Sequence, residues 1–212
     1  MRLKSMLLAS AAVAVGLVTA EAAQAGDGLY GTFSGGMNWS KDVHATGPTT
    51  AVSLSSESGF VVNVALGYHL DGMITPGLRV ELEGGYRHND AKGNYTISAT
   101  SSASNDLSTW SVMGDVWYDF NIGSSLRPYF GGGVGWARNK VVPKITTAPS
   151  VEGEGFAWQA GFGMNVAISP NASVGLGYRY MDAGDEGTGP AGGDFGRMTH
   201  QSVEFNINFN LN

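Results

Sequence analysis

The feature that most constrains this chain is a strict alternation of apolar and polar residues that recurs along it. It is clearest in residues 78–88, where Leu78 and Val80 share one face of an extended strand while Arg79 and Glu81 share the other. Because successive side chains of a β-strand point to opposite sides, a period of two predicts a sheet with two chemically distinct faces.

The alternation predicts eight strands joined by connections that alternate in length. The predicted strands are about 28–39, 59–70, 78–88, 107–120, 127–138, 155–168, 172–181 and 200–211. Long polar connections lie at about 40–58, 89–106, 139–154 and 182–199, and short turns at about 71–77, 121–126 and 169–171. Short periplasmic turns and longer outer loops are typical of outer-membrane barrels. We therefore predict an all-β fold, an eight-stranded antiparallel up-and-down transmembrane β-barrel.

Alternation alone also fits a soluble barrel whose apolar face points inward, so further observations are needed to place the lipid. Every lysine beyond residue 25 lies in a predicted long loop, namely Lys41, Lys92, Lys140 and Lys144. The polar face is also rich in small residues, which suit a crowded interior better than a solvated exterior. Both observations favour an apolar face that points outward into a membrane.

Aromatic residues of the apolar face gather at the two ends of the predicted strands. The group near the long loops is Trp39, Phe60, Tyr86, Trp110, Trp136, Phe156, Trp158 and Tyr180. The group near the short turns is Tyr68, Tyr118, Phe120, Phe130 and Phe209. Two aromatic girdles that flank an aliphatic band are typical of a protein that spans a bilayer.

The first 25 residues predict a cleaved signal peptide, and residues 26–212 a single barrel domain. Arg2 and Lys4 precede an apolar run over 6–20, and Ala23-Gln24-Ala25 forms a small-x-small cleavage site. The run is shorter than the roughly 20 residues of a membrane-spanning helix, although a retained anchor is the alternative. Export and a barrel together predict the outer membrane of a Gram-negative bacterium.

Composition excludes two classes of protein. The chain has no cysteine, which excludes a disulfide scaffold. Its net charge of −6 and lack of a basic patch argue against a partner that is a nucleic acid. No cofactor motif is present: Gly131-Gly132-Gly133-Val134-Gly135 lies within a predicted strand and opens no helix, unlike a dinucleotide loop.

The polar face predicts a network of charges inside the barrel. Its members are Arg79, Glu81, Glu83, Arg87, Asp115, Asp119, Arg127, Arg179 and Glu204. An eight-stranded barrel is just wide enough to be filled by its own side chains, so these charges would pair as a structural plug. A narrow pore and an acid/base pair formed by Glu81 and Glu83 are the alternatives.

Two other groups of residues have side chains that could carry chemistry. His200-Gln201-Ser202 resembles the His-x-Ser of lipid A deacylase barrels, but parity turns both side chains inward, which favours an interior hydrogen-bonding histidine. Asp182, Asp185, Glu186 and Asp194 carry carboxylates that would suit a cation, yet they lack a fixed spacing.

Four stretches resemble the outer-membrane β-barrel family of opacity-type surface antigens and OmpA-like porins. They are RVELEGGYR at 79–87, MGDVWYDF at 113–120, RPYFGGGVG at 127–135 and GYRYM at 177–181. The resemblance implies an outer-membrane location, surface-exposed loops and no enzymatic activity. The chain departs from the longer OmpA proteins in that it stops after the predicted barrel, so we expect no peptidoglycan-binding domain.

The sequence therefore predicts an integral outer-membrane barrel with a structural or surface-interaction role, similar to an adhesin or antigen, and a plugged interior. A narrow porin is the alternative, and a lipid A-modifying barrel enzyme is a further one. The expected partners are outer-membrane lipid and lipopolysaccharide, the barrel-assembly machinery during insertion, and a host or extracellular ligand at the long loops. We expect a monomer.

Overall fold

The computed structural model describes residues 28–41, 43–46, 51–71, 73–96, 100–122, 125–144, 150–185 and 197–211. The predicted signal peptide, including its cleavage site at Ala25, lies outside these residues. No helix in the described part of the chain is long and apolar enough to cross a membrane.

Antiparallel strands form a single sheet that closes on itself. The strands are β1 (Leu29–Ser40), β2 (Val43–Thr46), β3 (Ala51–His69), β4 (Leu78–Thr96), β5 (Thr100–Asp119), β6 (Leu126–Pro143), β7 (Val151–Ser169), β8 (Ala172–Asp185) and β9 (Arg197–Asn210). From β2 to β9, each strand pairs with the next strand along the chain. β1 does not pair with β2; it pairs with both β3 and β9. This double pairing closes the barrel and removes the exposed edges that an open sheet would leave.

The predicted eight-stranded barrel is confirmed, and β2 is a short second segment of the first wall strand. β1 pairs with β3 from Leu29 to Asn38, and β2 pairs with the far end of β3, from Val43 to Thr46. The wall therefore has eight positions, although its first strand is interrupted after Ser40. The three short turns are confirmed between β3 and β4, between β5 and β6, and between β7 and β8.

The long connections are shorter than the sequence predicted, because the strands continue into them. β4 and β5 stay paired up to Thr96 and Thr100, within the segment predicted as a loop at 89–106. β6 likewise continues to Pro143 and β7 begins at Val151. Polar residues on both faces hide this continuation from periodicity, since a strand above the membrane needs paired backbone but no apolar face.

The same extension corrects the argument from lysine positions. Lys92 and Lys140 lie within β4 and β6, not in loops, while Lys41 and Lys144 lie just outside strands. Lys140 is exposed on the outer face, beyond the aromatic residue Trp136 of its strand. The inference about lipid therefore depends on lysines being absent from the apolar band rather than from strands.

Accessibility follows the predicted parity of the strands. On β4, Val80 and Leu82 are 37% and 64% exposed, whereas Glu81 and Glu83 are 7% and 2% exposed. A barrel core made of polar side chains and an outer surface made of aliphatic ones is the reverse of a soluble protein. It is the arrangement expected where lipid replaces water as the solvent.

Glycines give the bulky interior side chains their space. A side chain at Gly67 would collide with the ring of Tyr30, and one at Gly177 would collide with the hydroxyl of Tyr129. A neighbouring backbone that lacks Cβ atoms lets an aromatic ring lie flat against the inside of the wall. The small residues of the polar face therefore suit a crowded interior, as the sequence predicted.

Candidate functional site

The barrel interior is the first candidate site, and its centre is a cluster of charged side chains. Arg179 on β8 reaches Glu83 on β4, with its Nη1 atom 2.5 Å from the carboxylate atom Oε1. Arg79 forms an ion pair with Glu81 on the same strand, and its Nε atom lies 2.9 Å from Oδ2 of Asp119. The contact between Arg179 and Glu83 links opposite walls of the barrel, whereas these two ion pairs of Arg79 stay within β4 and the adjacent strand β5.

Arg87 and Glu204 lie in the same buried region. Nη2 of Arg179 lies 3.7 Å from Oε2 of Glu204. Arg87 is 1% exposed and donates from Nη1 to the hydroxyl of Ser111 at 3.2 Å, while its Nε and Nη2 atoms have no partner among the described residues. A buried guanidinium with free donors needs water or nearby negative charge, and this region supplies that charge.

One predicted member of the network lies elsewhere. Arg127 is exposed and lines a cavity of about 140 Å³ at the end of the barrel that carries the short turns. It begins β6 next to a turn, so its long side chain reaches water at the periplasmic mouth. The buried cluster therefore contains Arg79, Arg87 and Arg179 but not the fourth predicted arginine.

Neutral donors take the place of the missing guanidinium. Tyr30 donates from its hydroxyl to Glu81 at 2.6 Å, and Trp117 donates from Nε1 to the other oxygen of that carboxylate at 3.2 Å. Gln159 donates from Nε2 to Asp115 at 2.7 Å. The alternation places all three on the polar face, but residue type alone does not predict that uncharged donors belong to a charge network.

Glu204 has its own set of neutral donors. Ser202 donates to Oε1 at 2.6 Å, and Ser34 and Asn63 each donate to Oε2 at 3.0 Å. These donors come from three different strands, β9, β1 and β3. A carboxylate held by several hydrogen bonds is anchored in one geometry, which favours a rigid core over a flexible catalytic group.

Two groups of acidic side chains have the proximity that a metal ion needs. Oxygens of Glu81, Glu83 and Asp115 lie within 4.8 Å of one another, and so do ligand atoms of His88, Asp90 and Asp106. In the first group Arg79, Arg179 and Gln159 already donate to the carboxylates. In the second, Lys144 lies between Asp90 and Asp106, so cationic side chains of this chain occupy both positions.

An apolar layer fills the interior on the extracellular side of the charges. Its buried members are Leu107, Met113, Ala137, Val141, Ala157, Met181, Ala183 and Met198. Along β5 the layer continues from Met113 to Leu107, and Met198 lies two residues beyond His200 on β9. Methionine and alanine scattered among polar residues do not change the period of two, so the sequence pattern does not predict this layer.

His200 and Ser202 face inward, as their parity predicted. His200 is 1% exposed, with Nδ1 2.8 Å from the hydroxyl of Ser40 and Nε2 3.2 Å from that of Thr109. Ser202 donates to Glu204 rather than to a histidine. Of the carboxylates weighed as a cation site, Asp182 pairs with Arg197 at 3.0 Å, while Glu186 and Asp194 lie outside the described residues.

Aromatic residues lie on the outer face near both ends of the wall. Tyr86 packs between Phe60 and Trp110, with ring centroids 5.9 and 4.6 Å apart. Trp158 and Tyr180 pack at 5.4 Å on the same rim. The remaining side chains of this rim, Trp39, Trp136 and Phe156, are also exposed.

The opposite rim has a second aromatic group. Tyr118, Phe120 and Phe130 form a cluster with centroid separations of 5.1, 5.6 and 6.2 Å. Phe209 is 49% exposed, and Tyr68 pairs across from Leu29 near the same turns. The two rims thus enclose a band of exposed aliphatic side chains, including Val64, Leu66, Leu82, Val112, Val116, Val134 and Leu176.

Charged side chains lie on the outer face just beyond the first rim. Lys140 and Arg138 on β6 both contact Glu152 on β7, at 2.8 and 2.5 Å. Hydrogen bonds from Lys140 and Arg138 lower the pKa of Glu152 to about 2. The hydrogen bond from Lys144 similarly lowers the pKa of Asp90 below its usual range.

A closed barrel with an apolar outer band between aromatic rims and a polar, packed interior defines an integral outer-membrane β-barrel protein. The family model for the outer membrane protein beta-barrel domain matches residues 9–211, so the chain belongs to that family. It is 28% identical to the outer membrane protein PagN of Salmonella typhimurium over 174 residues, which cover 76% of this chain and 72% of PagN.

Solved structures show the same fold. The crystal structure of Neisserial surface protein A has a TM-score of 0.54 and 18% identity, covering 85% of this chain and 96% of that one. The outer membrane protein OprG from Pseudomonas aeruginosa has a TM-score of 0.53 and 13% identity, covering 86% and 96%.

Proposed function

We propose that this protein is a non-conducting outer-membrane barrel whose extracellular strands form a surface for binding outside the cell. The observation that carries the proposal is the length of these strands. β4 continues from the rim residue Tyr86 to Thr96, and β5 returns from Thr100 to Trp110, paired throughout. At roughly 3.3 Å per residue this hairpin follows a path of about 30 Å beyond the aromatic rim.

A paired hairpin presents side chains differently from a flexible loop. Its backbone hydrogen bonds are satisfied within the sheet, so binding costs less conformational entropy than ordering a loop would. Extension beyond the membrane contributes nothing to the apolar band, which ends at the aromatic rim. A role outside the membrane accounts for strands that the barrel itself does not need.

The packed interior supports a barrel that does not conduct. The charged cluster fills the middle, and the buried layer that includes Met113, Met181 and Met198 closes the extracellular side; these three methionines are at most 1% exposed. The cavity at the periplasmic mouth is lined partly by Tyr30 and Arg79, which take part in the cluster. Planar-bilayer recordings of purified protein should show no steady conductance, and a stable unitary current would support the porin alternative.

We also infer that the barrel has no enzymatic role. Deacylation of lipid A would need a serine and histidine that face lipid, whereas Ser202 donates into the interior and His200 contacts Ser40. Mass spectra of lipid A from cells that overexpress the protein should match those of control cells. A mass change equal to one lost acyl chain would show that the barrel is an enzyme.

Delivery to the outer membrane requires removal of the predicted leader. We propose cleavage after Ala25, which would leave Gly26 as the first residue. The intact mass of protein purified from outer membranes should match residues 26–212. A mass that includes the first 25 residues would instead support the retained anchor.

The binding role can be tested by shortening one hairpin. Removing residues 92–104 and joining Ala91 to Asn105 through Asn-Gly keeps the pairing of Asp90 with Asp106 and forms a tight turn. Bacteria that express the variant should adhere less to cultured epithelial cells than bacteria that express the wild type.

A control replaces residues 186–196, within another predicted long connection, with a Gly/Ser segment of equal length. It distinguishes the effect of shortening the hairpin from the effect of changing any predicted loop. Heat-modifiable migration on gels verifies that each variant is folded. If the shortened barrel folds and adheres like the wild type, the hairpin is not the binding surface.

A further inference from the structure

A polar cavity lies at the periplasmic mouth of the barrel, beneath the charged cluster. Its volume is about 140 Å³, which is room for about ten water molecules. All eight wall strands contribute to its lining. Tyr30 and Arg79 line it and also belong to the charged cluster, and His69 packs against Tyr30 with ring centroids 4.4 Å apart. The exposed residues Asn171 and Asn210 line its outer end, so the cavity is a blind chamber that opens towards the periplasm.

Two opposite charges line this chamber without pairing with each other. Arg127 is exposed and forms no hydrogen bond or ion pair with any residue that the structure describes. Asp119 accepts one hydrogen bond, from Nε of Arg79 at 2.9 Å, and its Oδ1 atom has no partner in the described part of the chain. A carboxylate can accept about four hydrogen bonds, so Asp119 has capacity for a further donor. Because Arg79 also pairs with Glu81, one cation serves two carboxylates, which leaves one negative charge in excess.

The strand register sets the spacing between these two charges. Asp119 on β5 pairs across from Tyr129 on β6, and Arg127 lies two residues from Tyr129. Asp119 and Arg127 both line the chamber, so they are diagonal neighbours on the inner face, with Cα atoms about 7–8 Å apart. Asn165 on β7 pairs across from Arg127 and adds an amide to the lining.

The balance of charge decides which kind of ligand the chamber suits. A simple anion would pair with Arg127 but would approach the excess negative charge at Asp119. A simple cation would pair with Asp119 but would approach the guanidinium. A zwitterion satisfies both groups and adds no net charge to a chamber whose own charges cancel, so it avoids the cost of burying an unpaired charge. An α-amino acid carries its ammonium and its carboxylate on one carbon, so both groups fit between diagonal neighbours.

We propose that the chamber binds a small α-amino acid from the periplasm. The carboxylate of the ligand accepts hydrogen bonds from the guanidinium of Arg127, which offers two parallel N–H donors. The ammonium of the ligand donates to the carboxylate of Asp119, and Asn165 lies beside the bound molecule. The volume of the chamber restricts the ligand to a small side chain. The charged cluster blocks further passage, so the site binds without transport and is independent of what the extracellular hairpin binds.

The test compares three small molecules that differ only in their charged groups. Alanine carries both groups, propionate lacks the ammonium, and ethylamine lacks the carboxylate. Each is titrated at neutral pH into the full barrel in phosphatidylcholine nanodiscs, and NMR follows the side-chain amide signal of Asn165. Alanine should shift this signal saturably. Propionate and ethylamine should each bind about tenfold more weakly, the factor expected for losing one hydrogen bond to a charged group.

Two variants identify the side chains that make the site. Arg127→Gln should lower the affinity for alanine about tenfold and remove the preference for alanine over ethylamine. Asp119→Asn should remove the preference for alanine over propionate. Arg138→Gln is the matched control, because this arginine is exposed at the other end of the barrel, and it should change neither preference.

Heat-modifiable migration verifies that each variant is folded. Arg127 is exposed, so its variant tests the site even if Asp119→Asn fails to fold. The proposal is overturned if alanine gives no saturable shift, or if the wild type binds the three molecules equally. Wild-type affinity in Arg127→Gln, or an equal loss of affinity in Arg138→Gln, would also overturn it.

Discussion

The Nη1 atom of Arg179 lies 2.5 Å from both carboxylate oxygens of Glu83, and the contact crosses the barrel from β8 to β4. In a closed wall of eight strands, β8 and β4 are four positions apart and so face each other directly. The contact joins the two halves of the barrel where no backbone hydrogen bond reaches.

Replacing one charged partner of this contact should destabilise the barrel more than replacing both partners. Glu83→Gln leaves Arg179 buried with less compensating charge, and we expect a loss of about 3 kcal/mol in the free energy of unfolding. Urea titration in lipid vesicles, followed by heat-modifiable migration, measures the loss. Glu83→Gln combined with Arg179→Met should recover part of it, and a single variant within about 0.5 kcal/mol of the wild type would contradict the role of this pair.

Methionines on the two faces of the wall should respond differently to truncation. Met113→Ala removes a side chain that is 0% exposed and should cost about 2–5 kcal/mol, since it leaves a cavity in the packed interior. Met164→Ala is the matched control, because this methionine is 44% exposed on the lipid side, and its cost should be below about 1 kcal/mol. Equal costs measured by the same urea titration would show that the interior layer is loosely packed.

A charge on the outer face should be tolerated only beyond the aromatic rim. Leu82 is 64% exposed within the apolar band, so Leu82→Arg should cost about 2–4 kcal/mol in a bilayer. Val142 lies beyond Lys140 on β6, and Val142→Arg should change the free energy of unfolding by less than about 0.5 kcal/mol. If the two variants were equally stable in vesicles, the band between the rims would not be the part that meets lipid.

The Glu152 carboxyl should titrate at unusually low pH. Its pKa of about 2 lies below the ordinary value of 4.5 for a glutamate, because Lys140 and Arg138 donate hydrogen bonds to the charged form. A lowered pKa means that the interaction stabilises the fold fully above pH 4.5 and is lost as the pH falls towards 2. Carbon-13 NMR of the side-chain carboxyl in detergent micelles measures the pKa directly.

Removing one donor identifies the cause of that shift. Lys140→Gln should raise the pKa of Glu152 part of the way towards its ordinary value, because the contact from Arg138 remains. Lys144→Gln should leave the pKa of Glu152 unchanged, because Lys144 contacts Asp90 and Asp106 instead. An ordinary pKa for Glu152 in the wild type would show that the contact is not maintained in solution.

Periodicity predicted the strands within the membrane but not their extensions beyond the aromatic rim. Where one face meets lipid and the other meets the interior, as from Leu78 to Tyr86, the two solvents force alternation and the strand can be read from residue types. Beyond Tyr86 the outer face no longer meets lipid and need not be apolar, so the strand that continues to Thr96 leaves no periodic signal.

The interior network was predicted in outline for the same reason. Parity assigned Glu81 and Arg179 to the inside, but it treats every polar residue alike along a strand. Arg127 reaches water whereas Arg79 is 6% exposed, because Arg127 lies nearer the mouth of the barrel. The alternation of residue types does not predict how far a residue lies from the mouth.

The sequence by itself determined which face of each strand meets lipid, since hydrophobic burial acts on every residue locally and repeats with the pleat. Only the tertiary structure decided which residues meet across the barrel, because β4 and β8 come to face each other when the wall closes. Closure places Glu83 against Arg179, which lies 96 positions away in the sequence. It also brings Tyr30 to Glu81, which lies 51 positions away. Such contacts depend on strand register and shear, which arise from the pairing of the whole sheet.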